Sequence, residues 1–238
     1  MQFDIGRSVT YPFEDPQWAQ KLLIFLVVGF VPGLNIILWS GYAVTTARNI
    51  ARGSDLPLPG WGDWADIAVR GLLSIAATAF YLIPALFLIG CLTGVSLVLG
   101  GRVGGGFEAL RCVGFALAAL YSLLMSYVLW TGHTRFAQRD QFASYVTIGE
   151  RLRDARGGRA VFGMLFLYET LLTFLLILLS VVAGALFLFA LSVVATASTL
   201  AVLIALIFLA LALLGYIAML TLAFLANAYF LGMAALAA

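Results

Sequence analysis

The chain has 238 residues, 63% of them apolar and only 10% charged, with a net charge of +2. An average soluble domain carries about a quarter charged residues, so the composition excludes a water-soluble globule, and so small a net charge offers nothing to nucleic acid. Two cysteines, Cys91 and Cys112, and one histidine are too few for a disulfide framework or a multi-histidine metal or haem site, so no cofactor is expected.

The N-terminal segment carries Asp4, Arg7, Glu14 and Asp15 where the basic and apolar parts of a cleavable signal would stand. The first apolar stretch is therefore expected to stay in the chain. In "TYPFEDPQW", residues 10–18, Pro12 and Pro16 hold the backbone extended, and Asp15-Pro16 sets a side-chain acceptor at the N-cap and a proline at the first helical position. A helix is predicted to begin at Pro16, with Tyr11, Phe13 and Trp18 at headgroup level.

Four charge-free runs mark the spans: Leu22–Ala47, Gly71–Gly101, Cys112–Thr134 and, with Glu169 as its sole charge, Ala160 to the end. As one helix the last would be roughly 118 Å long, against a hydrocarbon core of about 30 Å, so it must fold back. Its turn is predicted at Ser192–Thr199. The first run is broken by Pro32-Gly33 and then Asn35; it is either one kinked crossing or a re-entrant hairpin with its tip near "VPGLN". The expected architecture is all-α: a polytopic transmembrane bundle with four full spans, this Pro-broken N-terminal element and two cytoplasmic amphipathic helices.

Lys and Arg arbitrate orientation, because short basic loops stay on the cytoplasmic side. A full first crossing leaves Arg7, Lys21, Arg102 and Arg111 outside; a re-entrant one leaves only Arg102 and Arg111 outside, out of thirteen. The re-entrant form is preferred. The Arg-rich loop 135–159 and the C-terminus are cytoplasmic in both, which predicts a multi-pass protein of the cytoplasmic membrane.

A parallel internal repeat supports that orientation. "LWSGYAVTTARN" aligns with "LWTGHTRFAQRD", pairing Trp39 with Trp130, Gly41 with Gly132, Tyr42 with His133 and Arg48 with Arg139; "WADIAVR" aligns with "YVTIGER", pairing Trp64 with Tyr145 and Arg70 with Arg151. The chain thus divides into an interfacial segment 1–20, repeat halves 21–101 and 102–194, and a C-terminal span 195–238, all within a single membrane domain.

The two amphipathic pieces follow from caps. "GWGDWADIAVRG" offers Asp63 as N-cap, with Asp66 in the first turn. "TIGERLRDARGG" offers a Thr147/Glu150 capping box and a Gly157-Gly158 stop, with Tyr145, Ile148 and Leu152 as an apolar stripe opposite Glu150, Arg153 and Asp154. Arg151, Arg153, Arg156 and Arg159 read as a surface for anionic lipid or for a docking partner. Trp18, Trp39, Trp64 and Trp130 read as interfacial anchors.

Glu169 is the one acid inside an apolar span; it either pairs with Arg159 or serves an ion or proton. Asn35 and Pro32 mark the broken helix. His133 sits at a helix exit beside Trp130, as a belt residue or a titrating group. Gly29/Gly33 and Ser180/Gly184 have the spacing of close helix packing, and the cysteines read as buried free thiols. No G-x-S-x-G, H-E-x-x-H or P-loop is present.

"GRSVTYPFEDPQW", "VPGLN", "GYAVTTARNIARG", "LPLPGWGDWADIAVRGL" and "YLIP", in that order, resemble the family of bacterial and archaeal integral membrane proteins called domain of unknown function four thousand and thirteen. The second half departs more, with "WTGHTRF" where a proline is usual. The resemblance implies a helical integral membrane protein and carries no reaction, substrate or catalytic residue. The residues favour a non-enzymatic scaffold or accessory subunit acting on membrane lipids, a membrane-protein partner or a second copy; a small-solute or ion transporter or channel using the broken helix and Glu169 is the rival.

Overall fold

The computed structural model describes residues 4–99, 105–157 and 199–237, with short pieces between 163 and 188. All regular structure among the described residues is helical. The chain opens with a short helix α1 (Ile5–Thr10), whose N-cap Asp4 accepts from the Arg7 amide at 3.0 Å, and a 3-10 turn Tyr11–Glu14. Helix α2 (Trp18–Gly29) starts two residues later than Pro16, because Asp15 caps from outside: its carboxylate accepts from the Gln17 amide at 2.8 Å and its carbonyl from Trp18 at 3.0 Å.

That carboxylate is buried and paired with Lys21 at 2.6 Å. Lys21 also donates to the Leu58 carbonyl at 2.8 Å, and the Trp61 indole donates to the Lys21 carbonyl at 2.9 Å. One ion pair thus ties the N-terminal segment, the start of α2 and the loop before the next long helix together. Tyr11, expected at headgroup level, is instead buried in the core, where its hydroxyl donates to the Leu225 carbonyl at 2.9 Å. Burial, with Tyr42 and Tyr229 beside it, pushes this phenol well above its usual pKa, so it keeps the proton it donates.

Helix α3 (Leu34–Ala51) follows a tight turn in which Gly33 takes φ 81°, a left-handed conformation that glycine adopts without strain. The Asn35 amide donates back to the Gly29 carbonyl at 3.2 Å, the Trp39 indole donates to the Phe25 carbonyl at 3.0 Å, and the Trp39 ring stacks on Phe25 with centroids 5.0 Å apart. These contacts fold α2 and α3 side by side, antiparallel, with Pro32 exposed at the tip.

The long helices are α4 (Trp64–Leu99), α5 (Gly105–Arg139) and α8 (Thr199–Ala237); α6 (Ala143–Val146) and α7 (Ile148–Gly157) lie between the last two in sequence. Helix α4 begins directly after Asp63, and α7 ends at Gly157. Among the described residues three segments are long and apolar enough to cross a membrane: Trp61–Val98, Gly106–Arg139 and Leu214–Leu236. The fourth expected span and the turn predicted at Ser192–Thr199 fall largely outside the described residues.

Helix α3 is the hub, packed against both α4 and α8. It meets α4 through a reciprocal glycine contact: a Cβ on Gly41 would lie 1.8 Å from the Ile67 carbonyl oxygen, and one on Gly71 would lie 1.9 Å from that of Ile37. Only hydrogen side chains permit so close an approach. Gly29 instead seats the Trp39 ring, while Gly33 and Gly184 have nothing within 4 Å. The core of Phe25, Leu38, Tyr42, Ile67, Leu225 and Phe230 therefore gathers round α3. Farther along α4, apolar side chains point outward, with Phe87 72%, Leu97 78% and Val98 85% exposed. Both cysteines are likewise exposed free thiols, correcting the expectation of burial: they lie on outward faces of two helices long and apolar enough to cross a membrane.

Candidate functional site

Two features stand out, a cavity of mixed polar and apolar lining between the helices and an arginine-rich end beside it. The cavity, about 160 Å³, is bordered by α3, α4, α5 and α8, which contribute Ser40, Ser74, Thr78, His133 and Asn227 beside Trp130. At about 30 Å³ per water it has room for about five. Asn227 lines the cavity, and its Oδ1 is buried with no hydrogen-bond partner among the described residues.

His133 is fixed from outside the cavity. Its Nδ1 lies 2.9 Å from the hydroxyl of Tyr145, which is fully buried and whose own carbonyl accepts from the Tyr81 hydroxyl at 2.5 Å. Burial raises the Tyr145 pKa above its ordinary value, with the nearby Asp140 charge adding to this and a Ser74 hydrogen bond opposing it. The phenol stays neutral; given to Nδ1, its one proton leaves the histidine N–H on Nε2.

At the end of the bundle, two aspartates are each held by two arginines. Asp140, which follows α5 with φ 58°, pairs with Arg48 at the end of α3 and with Arg70 in α4, the latter at 3.2 Å. Partial burial alone would raise its pKa, but the hydrogen bonds and charges of Arg70 and Arg48 outweigh this and hold the carboxyl below its ordinary value. Asp154 in α7 accepts from Arg135 through both oxygens at 3.1 Å and pairs with Arg151 at 3.1 Å. Arg151 is 1% exposed and also reaches Glu150 at 3.1 Å.

Helix α7 presents a polar face to α5 and its apolar stripe outward. Arg151 and Asp154 face α5, whereas Ile148 and Leu152 are 40% and 41% exposed. Arg151 is therefore not part of the expected surface: its guanidinium donates to the Thr131 carbonyl of α5 at 3.4 Å and pairs with Asp154, whereas Arg153 and Arg156 are exposed.

The family described as "Protein of unknown function (DUF4013)" matches residues 22–187, more than half of the chain. The chain belongs to the DUF4013 family. No curated protein and no solved structure matches it.

In this DUF4013 chain the expected site residues do not meet in one place. His133 and Trp130 border the cavity, tilted against each other with centroids 5.6 Å apart. Asn35 and Pro32 lie at the turn between α2 and α3, where the Asn35 amide is spent on closing that turn. Trp18 and Trp64 are exposed, as anchors require, while Trp39 is half-buried against Phe25. Glu169 and Arg159 lie outside the described residues. The residues that sequence reading missed are Asn227, Ser40, Ser74 and Thr78. One signal was available: Asn227 is the sole carboxamide between residues 160 and 238. Among the described residues no group of three potential metal ligands occurs.

Proposed function

We propose that this protein is a non-enzymatic, multi-pass scaffold or accessory subunit of the cytoplasmic membrane, whose Arg-rich end faces the cytoplasm and engages anionic lipid through α7. The carrying observation is the orientation of α7. An apolar edge of Ile148 and Leu152 turned outward beside Arg153 and Arg156 suits the boundary between acyl chains and headgroups. A membrane-protein partner or a second copy would use the same edge.

The re-entrant form of the first run has support in length and packing. At 12 residues α2 is about 18 Å long, too short for a hydrocarbon core of about 30 Å. The ties of Lys21 to Leu58 and Trp61 bring its start beside the loop that follows α3. The parallel repeat has support in Arg70 and Arg151, aligned in sequence and each paired with an aspartate. The test is depth: spin labels at residues 148, 152, 153 and 156, one at a time in a Cys91→Ser, Cys112→Ser background, reconstituted in bilayers. Oxygen-accessible labels at 148 and 152 with water-accessible ones at 153 and 156 are expected; uniform water exposure, or labelling of residue 153 from outside intact cells, defeats the reading.

A second reading, a small-solute or ion transporter or channel, draws support from the polar side chains lining the first cavity rather than from Asn35. Solute flux into proteoliposomes that is reduced by Asn227→Leu would establish it, and absence of flux across a panel of ions and small polyols would end it.

A further inference from the structure

Beyond the Asp154 clamp lies a second cavity, about 270 Å³, lined by Arg135, Arg139, Glu150, Arg151, Arg153 and Asp154. Four guanidiniums face two carboxylates, a surplus of two positive charges. Both carboxylates are already engaged, Asp154 by Arg135 and Arg151 and Glu150 by Arg151. Among the described residues Arg139 and Arg153 form no ion pair and both are exposed. The surplus is local: at the neighbouring clamp, Arg48 and Arg70 are balanced by Asp140 and Asp66.

We propose that this cavity binds a phosphate group, carried by a phosphomonoester lipid headgroup or by a soluble phosphate. Guanidinium forks match phosphate oxygens in pairs, and a phosphate monoester carries up to two negative charges, which is the number the cavity lacks. Its volume, that of about nine waters, admits the group with part of its hydration. Asp154 and Gln138 hold the Arg135 guanidinium, so one positive charge is in place before a ligand arrives, while Arg139 and Arg153 are free to close over it. Only the lipid source rests on the membrane placement of α7 proposed above; the anion chemistry does not.

The test begins with the full chain in detergent, titrated calorimetrically with inorganic phosphate at ionic strength held constant with chloride. Saturable binding is expected. It should weaken about a hundredfold in Arg139→Gln/Arg153→Gln, roughly tenfold per charge-assisted contact, and stay unchanged in Arg156→Gln, which shares α7 but lies outside the cavity. Thermal unfolding is then compared in phosphatidylcholine nanodiscs doped with phosphatidate or with phosphatidylglycerol. Stabilisation by phosphatidate alone, lost in the double variant, identifies a lipid headgroup; phosphate binding without that preference identifies a soluble ligand. Absence of saturable phosphate binding, an unaffected double variant, or an equal loss in Arg156→Gln overturns the site. A water-exposed α7 with phosphate binding intact would defeat the membrane-surface reading alone.

Discussion

Asp140 and Asp154 are each gripped by two arginines, yet the two clamps hold different things together. Asp140 joins residues 92 and 70 positions away, closing α3 and α4 onto the end of α5. Asp154 works locally, pinning α7 to α5 through Arg135 and pairing within α7 with a fully buried Arg151, which donates to the Thr131 carbonyl of α5 at 3.4 Å. The first is neutral once Asp66 is included and stands part-exposed, so it works as a staple; the second is overcharged and walls a cavity. Equal numbers of arginines per aspartate therefore say little about role, and what separates the two sites is how much charge remains after local pairing.

Removing the acid from the second clamp should have the largest effect. Asp154→Ala deprives buried Arg151 of a partner and should cost roughly 3 to 5 kcal/mol in chemical unfolding, the range for breaking a buried pair. The helix contacts near each clamp differ in the same direction as their sequence distance. Gly41→Ala drives a methyl into the Ile67 backbone, which cannot move alone, and should cost about 3 kcal/mol; at the aligned Gly132 a Cβ would meet the Tyr145 ring at 2.9 Å, so Gly132→Ala should cost about 1 kcal/mol. Comparable losses at the two glycines would erase the distinction.

Asp140→Asn should cost about 1 kcal/mol, since the pair is part-exposed. Because the folded carboxyl has a lowered pKa, its contribution is complete above the ordinary carboxylate range and is lost as pH falls through the lowered value. Acid titrations followed by circular dichroism should thus fall less steeply in that variant than in the parent below about pH 4. Smallest of all, Arg156→Gln should change stability by under about 0.5 kcal/mol, as an exposed residue outside both clamps.

Much of the fold was legible because lipid is a simple solvent: a run without charge must span or turn back, and the breaks at Pro32-Gly33 and after Asp63 carry local stereochemical signatures. Side-chain destinations were not. Arg151 and Arg153 occupy equivalent-looking places on an amphipathic helix, and only the arrival of Asp154 beside Arg135 sends the first inward. Tyr11 looked like a belt aromatic because its acceptor, a backbone carbonyl in α8, has no signature in sequence. The cavity shares this obscurity: Ser40, Ser74 and Thr78 are unremarkable on separate helices and become a polar lining only when α3, α4, α5 and α8 converge.

The bond between the Tyr11 hydroxyl and the Leu225 carbonyl spans 214 positions. A chain emerges from the ribosome N-terminus first, so that phenol must wait idle until its acceptor has been made. Arrival of α8 is thereby reported at the end of α1, and a nascent chain arrested before α8 would present an unlatched N-terminal segment to proteases.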